Sequence, residues 1–360
     1  MGEKVKKILL TGGGTAGHVT LNLSLIPLFL RDGWDVSYIG SKNGMEKNLV
    51  AKFKEVKYFP IQTGKLRRYF SLQNFLDALK VPIGIVQAYF LVRKLNPDII
   101  FSKGGFVSFP VVLAGWLNNK KVFMHESDYS PGLANKMSLP FVSTFFTTFE
   151  ETANYIKQKS RVEYVGPVIS DRLKNGSRNK GLQFAALNGN KPIIFVTGGS
   201  LGAININNAV RSNLDWLLEK YHIIHSCGKG KIDNTIDRAG YKQFEYIDAE
   251  LADVFAASDI VISRAGANAI FELLSLKKPM ILVPLPTAAS RGEQSLNAES
   301  FRLRGFCEVI KDENLSDIDN FRNTIDLVHE NRQKYAKNME NSTVKITNDA
   351  TLFEKLKIGS

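Results

Sequence analysis

Short apolar runs and one-sided apolar patterns alternate along most of this chain. Runs bounded by glycine and polar residues predict strands at 8–10 (ILL), 36–40 (VSYIG), 98–102 (DIIFS), 121–125 (KVFMH), 144–148 (TFFTT) and 162–166 (VEYVG). After the first run comes a glycine turn, TGGGTAGH at 11–18, and then Leu21, Leu25, Leu28 and Phe29 at helical spacing. Strands that alternate with helices predict an α/β protein whose parallel sheet is covered on both faces. The pattern resumes beyond residue 192, with strands expected at 193–197 (IIFVT), 222–226 (HIIHS), 244–247 (FEYI), 259–263 (DIVIS) and 306–310 (FCEVI). From Leu315 onward the chain reads as helices, with Ile318, Phe321, Ile325, Leu327 and Val328 as expected buried positions.

The two halves echo one another. Leu9-Leu10-Thr11-Gly12-Gly13 matches Phe195-Val196-Thr197-Gly198-Gly199, and each follows an apolar strand and opens a helix. Between them, 171–192 (DRLKNGSRNKGLQFAALNGNKP) is rich in Lys, Asn and Gly and reads as a linker. Two Rossmann-like domains are therefore expected, 1–166 and 192–340, joined by 167–191, with a ligand in a cleft facing the C-terminal ends of both sheets.

Composition narrows the partners. The 360 residues are 44% hydrophobic and carry a net charge of +12, which favours an anionic partner. Cys227 and Cys307 have neither metal-ligand spacing nor a disulfide framework, as suits a reducing compartment. No signal peptide, myristoylation motif or membrane span is read; the longest apolar candidate, 79–92, is short and interrupted by Lys80, Pro82 and Gln87. Any membrane contact is expected to be peripheral.

The stretch from Ser263 to Asn297 reads as a nucleotide pocket. A strand ends in a small-residue turn, and a helix follows that carries Ile270, Leu273, Leu274 and Leu276 on one face and Glu272 in its first turns. Small residues admit a ligand close to the backbone, and a helix N-terminus presents N–H groups to a phosphate. A carboxylate there can accept from the paired hydroxyls of a ribose, and Glu293, Gln294 and Asn297 of the next helix can read sugar hydroxyls. The alternative is a buried Glu that caps its own helix beside a polar loop.

In the first half, TGGGTAGH and Lys103-Gly104-Gly105-Phe106-Val107-Ser108 are two glycine loops at strand ends, a cradle for a diphosphate or simply two tight turns. No acidic ribose ligand ends the second strand, so the first loop is not a dinucleotide fingerprint. His18, at a helix start, is a candidate base or donor, or else a capping residue. His125-Glu126-Ser127-Asp128 again ends a strand and suggests a site; His222 and His225 read as ordinary strand residues. No cluster has metal spacing, and neither metal nor cofactor is expected. In 64–94, Lys65, Arg67, Arg68 and Lys80 interleave with Tyr69, Phe70, Phe75, Leu76 and Leu79, which suits an anionic bilayer surface or a core helix with a basic face. No nucleic-acid recognition motif is found.

Taken together, TGGGTAGH, SKGGFVSFP, HESDYSPGLANK, VTGGSLGA, SRAGANAIFELL and ASRGEQSLNA closely resemble the MurG family, in order from about residue 6 to 305. These are the UDP-N-acetylglucosamine transferases that complete the lipid-linked disaccharide of peptidoglycan. The resemblance implies a GT-B fold with a helix at 341–360 returning to the first domain. It also implies inverting transfer of GlcNAc from UDP-GlcNAc to undecaprenyl-diphosphate-MurNAc-pentapeptide without metal, at the cytoplasmic face of an anionic membrane beside cell-wall or division proteins.

By the same resemblance, Ser200 contacts the donor diphosphate, Ile247 meets uracil through its backbone, and Glu272 holds the ribose; Glu293, Gln294 and Asn297 bind GlcNAc. His18, Gly13, Gly14, Gly104 and Gly105 face the acceptor diphosphate; Thr15 faces it too and is grouped with Gly17 among donor contacts. His18 or Asp128 is the base, and Lys65, Arg67, Arg68, Phe70, Phe75 and Leu79 form the membrane surface. Many relatives have Asn at the position of Asp128, Arg at that of Ser170, and Gln or Asp at that of Glu293. Arg172 is a candidate to replace the missing arginine. A diacylglycerol glycosyltransferase, a UDP-GlcNAc epimerase and a non-catalytic sugar-nucleotide binding module are the alternatives.

Overall fold

A computed structural model describes residues 5–64, 72–199, 202–287 and 290–359, with the helix but not the side chains of 72–79. The chain forms two compact units, Met1–Val168 with Lys345–Ser360, and Ile169–Val344.

In the first unit, β1 (Lys7–Thr11), β2 (Asp35–Ser41), β3 (Lys57–Ile61), β4 (Ile99–Ser102), β5 (Lys121–Glu126), β6 (Thr144–Thr147) and β7 (Val162–Tyr164) are ordered β3-β2-β1-β4-β5-β6-β7. All their pairings are parallel. β1 and β4 read as unbroken apolar runs because both faces of the sheet are covered. One cover contains Leu25, Phe29 and Trp34; the other contains Val92, Val111 and Val112.

The C-terminal helix Asp349–Ile358 adds Leu352, Phe353 and Leu356 to the first of these covers. Phe353 meets Phe29 edge-on at 4.8 Å, and Ser24 donates to Asp349 Oδ1 at 2.8 Å. Each such buried side chain contributes about 1.5–3 kcal/mol. The change of unit falls at Lys345 rather than 341.

The second unit orders β8 (Ile193–Thr197), β9 (His222–Ser226), β10 (Tyr241–Phe244), β11 (Ile260–Ser263), β12 (Met280–Leu282) and β13 (Cys307–Val309) as β10-β9-β8-β11-β12-β13, again parallel. Each sheet reverses its strand order beside its first strand, between β1 and β4 and between β8 and β11. Loops leaving adjacent strands diverge there, and the crevice at their C-terminal ends is where such sheets bind ligands.

Three readings of the sequence are corrected, and one strand is missed. The stretch read as a linker forms a short turn, Asp171–Asn175, and a helix, Arg178–Phe184, that belong to the second unit. Its glycines allow close packing on the helix Leu251–Ala257: a Cβ at Gly176 or Gly181 would lie 2.0 or 2.2 Å from the carbonyls of Ala252 and Asp253. Ser177 caps the helix Arg178–Phe184, its Oγ accepting from Lys180 N at 3.5 Å, and its own N donates to Asp253 Oδ1 at 2.7 Å. β3 escapes the pattern because Pro60 interrupts it, as an edge strand tolerates. The strand expected at 244–247 lies earlier, because Tyr241 supplies its buried anchor. Ile318 and Leu327 are exposed; the helix Ile318–Glu330 buries Phe321, Ile325 and Val328 instead.

Candidate active site

Three loops leave the adjacent strands β1, β4 and β5 of the first unit and interlock. Gly12 and Gly13 are buried, and Gly13 N donates to Gly104 O at 3.3 Å. Gly105 has φ +88°, and a Cβ there would lie 2.1 Å from Gly13 O and 3.2 Å from His18 Nδ1. Only glycine permits this approach. The His18 ring thus lies at the seam of the two glycine loops, in a short turn, Ala16–His18, that precedes the helix Thr20–Arg31. Its Nδ1 is 3.1 Å from Thr15 Oγ1. Gly14, Thr15 and Gly17 form the exposed rim.

The loop after β5 is built on Glu126. This buried carboxylate accepts from Asp128 N at 3.0 Å, Gly132 N at 2.9 Å and Asn135 Nδ2 at 2.8 Å. Thr152 Oγ1 donates to the carbonyls of Asp128 and Tyr129 at 3.3 and 3.2 Å, so the backbone around Asp128 is held from both sides. Asn135 also supports the second loop: a Cβ at Gly104 would lie 2.6 Å from its Oδ1. Under the first loop, Glu46 is fully buried and accepts from Ser41 N at 2.8 Å, and a Cβ at Gly13 would meet its carboxyl at 2.6 Å. Sequence reasoning singled out Glu126 within a candidate segment without a role of its own, and gave none to Lys103, Asn135 or Glu46. The segment containing Glu126 was legible as a site, but Glu46, one residue into a helix, gave no signal.

In the second unit, the loop after β8 contains Gly199; Ser200 lies outside the described residues. Gly202 packs on the loop after β9, where a Cβ would lie 1.9 Å from Cys227 O. That neighbour is braced by Asn207, which donates to Cys227 O at 2.9 Å and meets His225 Nε2 at 3.0 Å. Burial, helped by Arg211, pushes His225 down to about 3, so it stays a neutral structural link to Tyr241.

After β11, Gly266 opens the helix Ala267–Ser275, and the space a Cβ would occupy there is clear for at least 4 Å. Glu272 is half-buried on this helix, and desolvation pushes its carboxyl up to about 7. Asn297 is buried and donates to Ala265 O at 3.1 Å. Gln294 accepts from Leu285 N at 3.1 Å, and Glu293 accepts from Arg291 N at 3.0 Å. Asn297 thus braces the turn beside Gly266, and Gln294 and Glu293 brace the connection after β12. Ile247 is buried beyond the end of β10. Arg172 donates to Ala249 O at 3.2 Å, close in sequence to Ile247, and Ser170 is exposed.

Lys65, Arg67, Arg68 and Phe70 fall outside the described residues; Phe75 and Leu79 are on the helix Leu72–Leu95, in the part whose side chains are not described. Among the described residues, no group of His, Cys, Asp and Glu could hold a metal ion, and no helix is long and apolar enough to cross a membrane.

Residues 8–147 match the glycosyltransferase family 28 N-terminal domain, and residues 193–355 match its C-terminal domain. The chain is 50% identical over 338 residues, 94% of each chain, to the UDP-N-acetylglucosamine–N-acetylmuramyl-(pentapeptide) pyrophosphoryl-undecaprenol N-acetylglucosamine transferase of Geobacillus thermodenitrificans. It is 51% identical to the enzyme of the same name from Geobacillus kaustophilus, over 93% of this chain and 94% of that one. The crystal structure of Acinetobacter baumannii MurG superposes with a TM-score of 0.75 at 21% identity, covering 98% of this chain and 99% of that one, and shares the GT-B fold.

Proposed function

The chain belongs to glycosyltransferase family 28, within its MurG group, and from that premise we infer the reaction and the residues that carry it. The protein is a GlcNAc transferase of peptidoglycan synthesis: it moves GlcNAc from UDP-GlcNAc to undecaprenyl-diphosphate-MurNAc-pentapeptide, forming lipid II. The observation that carries this reading is the identity of about half the positions along nearly the whole chain. It separates the transferase from an epimerase or a binding module, which the fold alone does not.

The donor is assigned to the loops after β8, β11 and β12, with Glu272 on the ribose hydroxyls and the clear space over Gly266 near its diphosphate. The acceptor diphosphate is assigned to the interlocked loops of Gly13, Gly14, Gly104 and Gly105, where backbone N–H groups stabilise anionic oxygens. The acceptor hydroxyl attacks the anomeric carbon from the face opposite UDP, its proton passes to His18 or Asp128, and the C–O bond to UDP breaks with inversion. The test is UDP release with and without the lipid-linked acceptor. Release that depends on it and yields the disaccharide supports the reading; turnover without acceptor refutes it.

Glu272 gives a pH prediction. When ionised, its carboxylate accepts from both ribose hydroxyls; when protonated, one of its oxygens becomes a donor and the charge-assisted bonds are lost, and its value near 7 leaves it substantially protonated in acid. UDP affinity is therefore expected to rise with pH by up to about tenfold per unit below 7 and to level off above it. Glu272→Gln is expected to bind UDP about 10–100-fold more weakly above pH 7, with that pH dependence gone. Calorimetric titration from pH 5.5 to 8.5 measures both.

Membrane docking is assigned to the helix Leu72–Leu95 and its neighbour Ser108–Leu117. Ile83, Val86 and Phe90 are 51, 56 and 64% exposed at helical spacing, Trp116 is exposed on the neighbour, and Arg93 and Lys94 are exposed nearby. Apolar side chains beside cations suit an anionic bilayer surface. The triple change Ile83→Ser, Val86→Ser, Phe90→Ser is expected to lower flotation with anionic liposomes by at least about tenfold. Undiminished flotation argues against this surface.

A further inference from the structure

Lys103 lies fully buried where the three loops of the first unit converge. It follows β4 and directly precedes the Gly104-Gly105 turn. Its Nζ is 2.9 Å from His125 Nδ1 and donates to Ser127 Oγ, so one ammonium spans the loops after β4 and β5. On the β1 side, Lys103 N donates to Thr11 O at 2.9 Å, and a Cβ at Gly12 would lie 3.2 Å from Lys103 Cβ.

A buried ammonium is costly unless its surroundings compensate it. Both atoms it contacts are neutral. Glu126 and Asp128 attract it electrostatically without relieving the burial, and the net result is a lysine pushed down to about 8. Because the ammonium donates to His125 Nδ1, the imidazole proton stands on Nε2, which faces Thr148 Oγ1 at 3.5 Å. Burial, and then the Lys103 charge, keep that imidazole neutral.

We propose that Lys103 is a positioning residue for the acceptor diphosphate. It locks the loop that carries Asp128 against the glycine loops and supplies a fixed positive charge beneath them. In a dry interior such a charge acts more strongly than a surface lysine and needs no reorganisation when the anion arrives. This rests on the transferase reading above and adds to it a residue through which the acceptor side is organised.

The test is Lys103→Met, which keeps the length of the side chain and removes its charge. For the wild type, kcat/KM for the lipid-linked acceptor is expected to fall above about pH 8 as the ammonium loses its proton. In Lys103→Met it is expected to be lower at pH 7 by about tenfold or more, with that alkaline limb gone and the KM for UDP-GlcNAc within about twofold. A variant that merely scales the wild-type profile, or loses donor and acceptor efficiency equally, overturns the proposal.

If Lys103→Met does not fold, Ser127→Ala removes one acceptor of the ammonium and is expected to move the limb to lower pH; an unmoved limb overturns the proposal. A readout independent of turnover is lysine side-chain NMR of the wild type with and without inorganic pyrophosphate. The lysine that titrates near pH 8 is expected to move upward when pyrophosphate binds, and an unmoved titration overturns the proposal. Absence of any transfer by the wild type refutes the transferase reading instead, and the pyrophosphate titration still decides the role of Lys103.

Discussion

Asp128→Asn is expected to lower kcat by about 10²–10⁴-fold, the usual cost of removing a general base, with little change in the KM for UDP-GlcNAc. Asn keeps the size of Asp and one acceptor oxygen, turns the other oxygen into an N–H donor, and removes the basicity. The backbone of residue 128 is fixed by Glu126 and Thr152 whatever side chain it bears. A loss of rate therefore reports the lost charge rather than a displaced loop, and the alkaline limb separates its two effects: lost proton transfer leaves that limb in place, whereas lost support of the Lys103 ammonium moves it to lower pH. His18 is the alternative base, and its ring lies at the seam of the glycine loops. The matched variant His18→Asn is expected to cost less than Asp128→Asn in this chain. The reverse order under single-turnover conditions makes His18 the base, and near-full rates in both variants remove both from that role.

The parts of this site that were legible in the sequence are those where backbone geometry imposes residue type. Gly105 must be glycine because its Cα approaches Gly13 O across two loops, and Gly13 must be glycine because a buried carboxyl lies behind it. Such demands leave a local trace, and the strand before each loop leaves another, since a doubly covered parallel strand carries consecutive apolar residues, as Ile8-Leu9-Leu10 and Ile99-Ile100-Phe101 do. Partners distant in sequence leave none. Nothing around Glu46 announces that its carboxyl will hold Ser41 and fill the space beneath Gly13. Nothing around Lys103 announces that it will reach His125 and Ser127.

The same reasoning explains the misread connection at 171–192. Its Gly, Ser and Asn residues look like solvated linker, yet Gly176 and Gly181 are there for close helix contact and Ser177 for a cap. Composition records small and polar side chains but not whether they face water or another helix. Asn297 and Gln294 were legible as polar residues at a helix start. Their bonds to Ala265 and Leu285 show them bracing the turns of the site, a task compatible with reading a sugar through their remaining polar atoms.

Arg264→Ala is expected to destabilise the second unit by about 3–5 kcal/mol, the cost of stranding one member of a buried ion pair. Arg264 begins the small-residue turn after β11. Its guanidinium lies 2.5 Å from Asp312 Oδ1, with the two side chains only 13 and 6% exposed. It also donates to the carbonyls of Val283 and Pro284, both at 3.2 Å, joining the ends of β11 and β12. Asp312 accepts from Asn205 Nδ2 at 2.5 Å, so the pair also ties in the helix Ile204–Ser212 that follows the loop after β8. Truncating Arg264 leaves the Asp312 carboxylate buried beside one amide and frees two carbonyls. For a unit of this size the expected fall in Tm is about 6–20 °C, and UDP affinity is expected to fall with it, because the turn at 264–268 loses its tether. Replacing both partners, Arg264→Met with Asp312→Leu, is expected to recover much of the stability, since no buried charge is then left alone, but not the UDP affinity, since the carbonyls of Val283 and Pro284 still lack their donor. Urea unfolding with a probe in the second unit, paired with UDP titration of both variants, separates the two effects. Stability of Arg264→Ala within about 1 kcal/mol of wild type would mean that the pair is held by the fold rather than holding it.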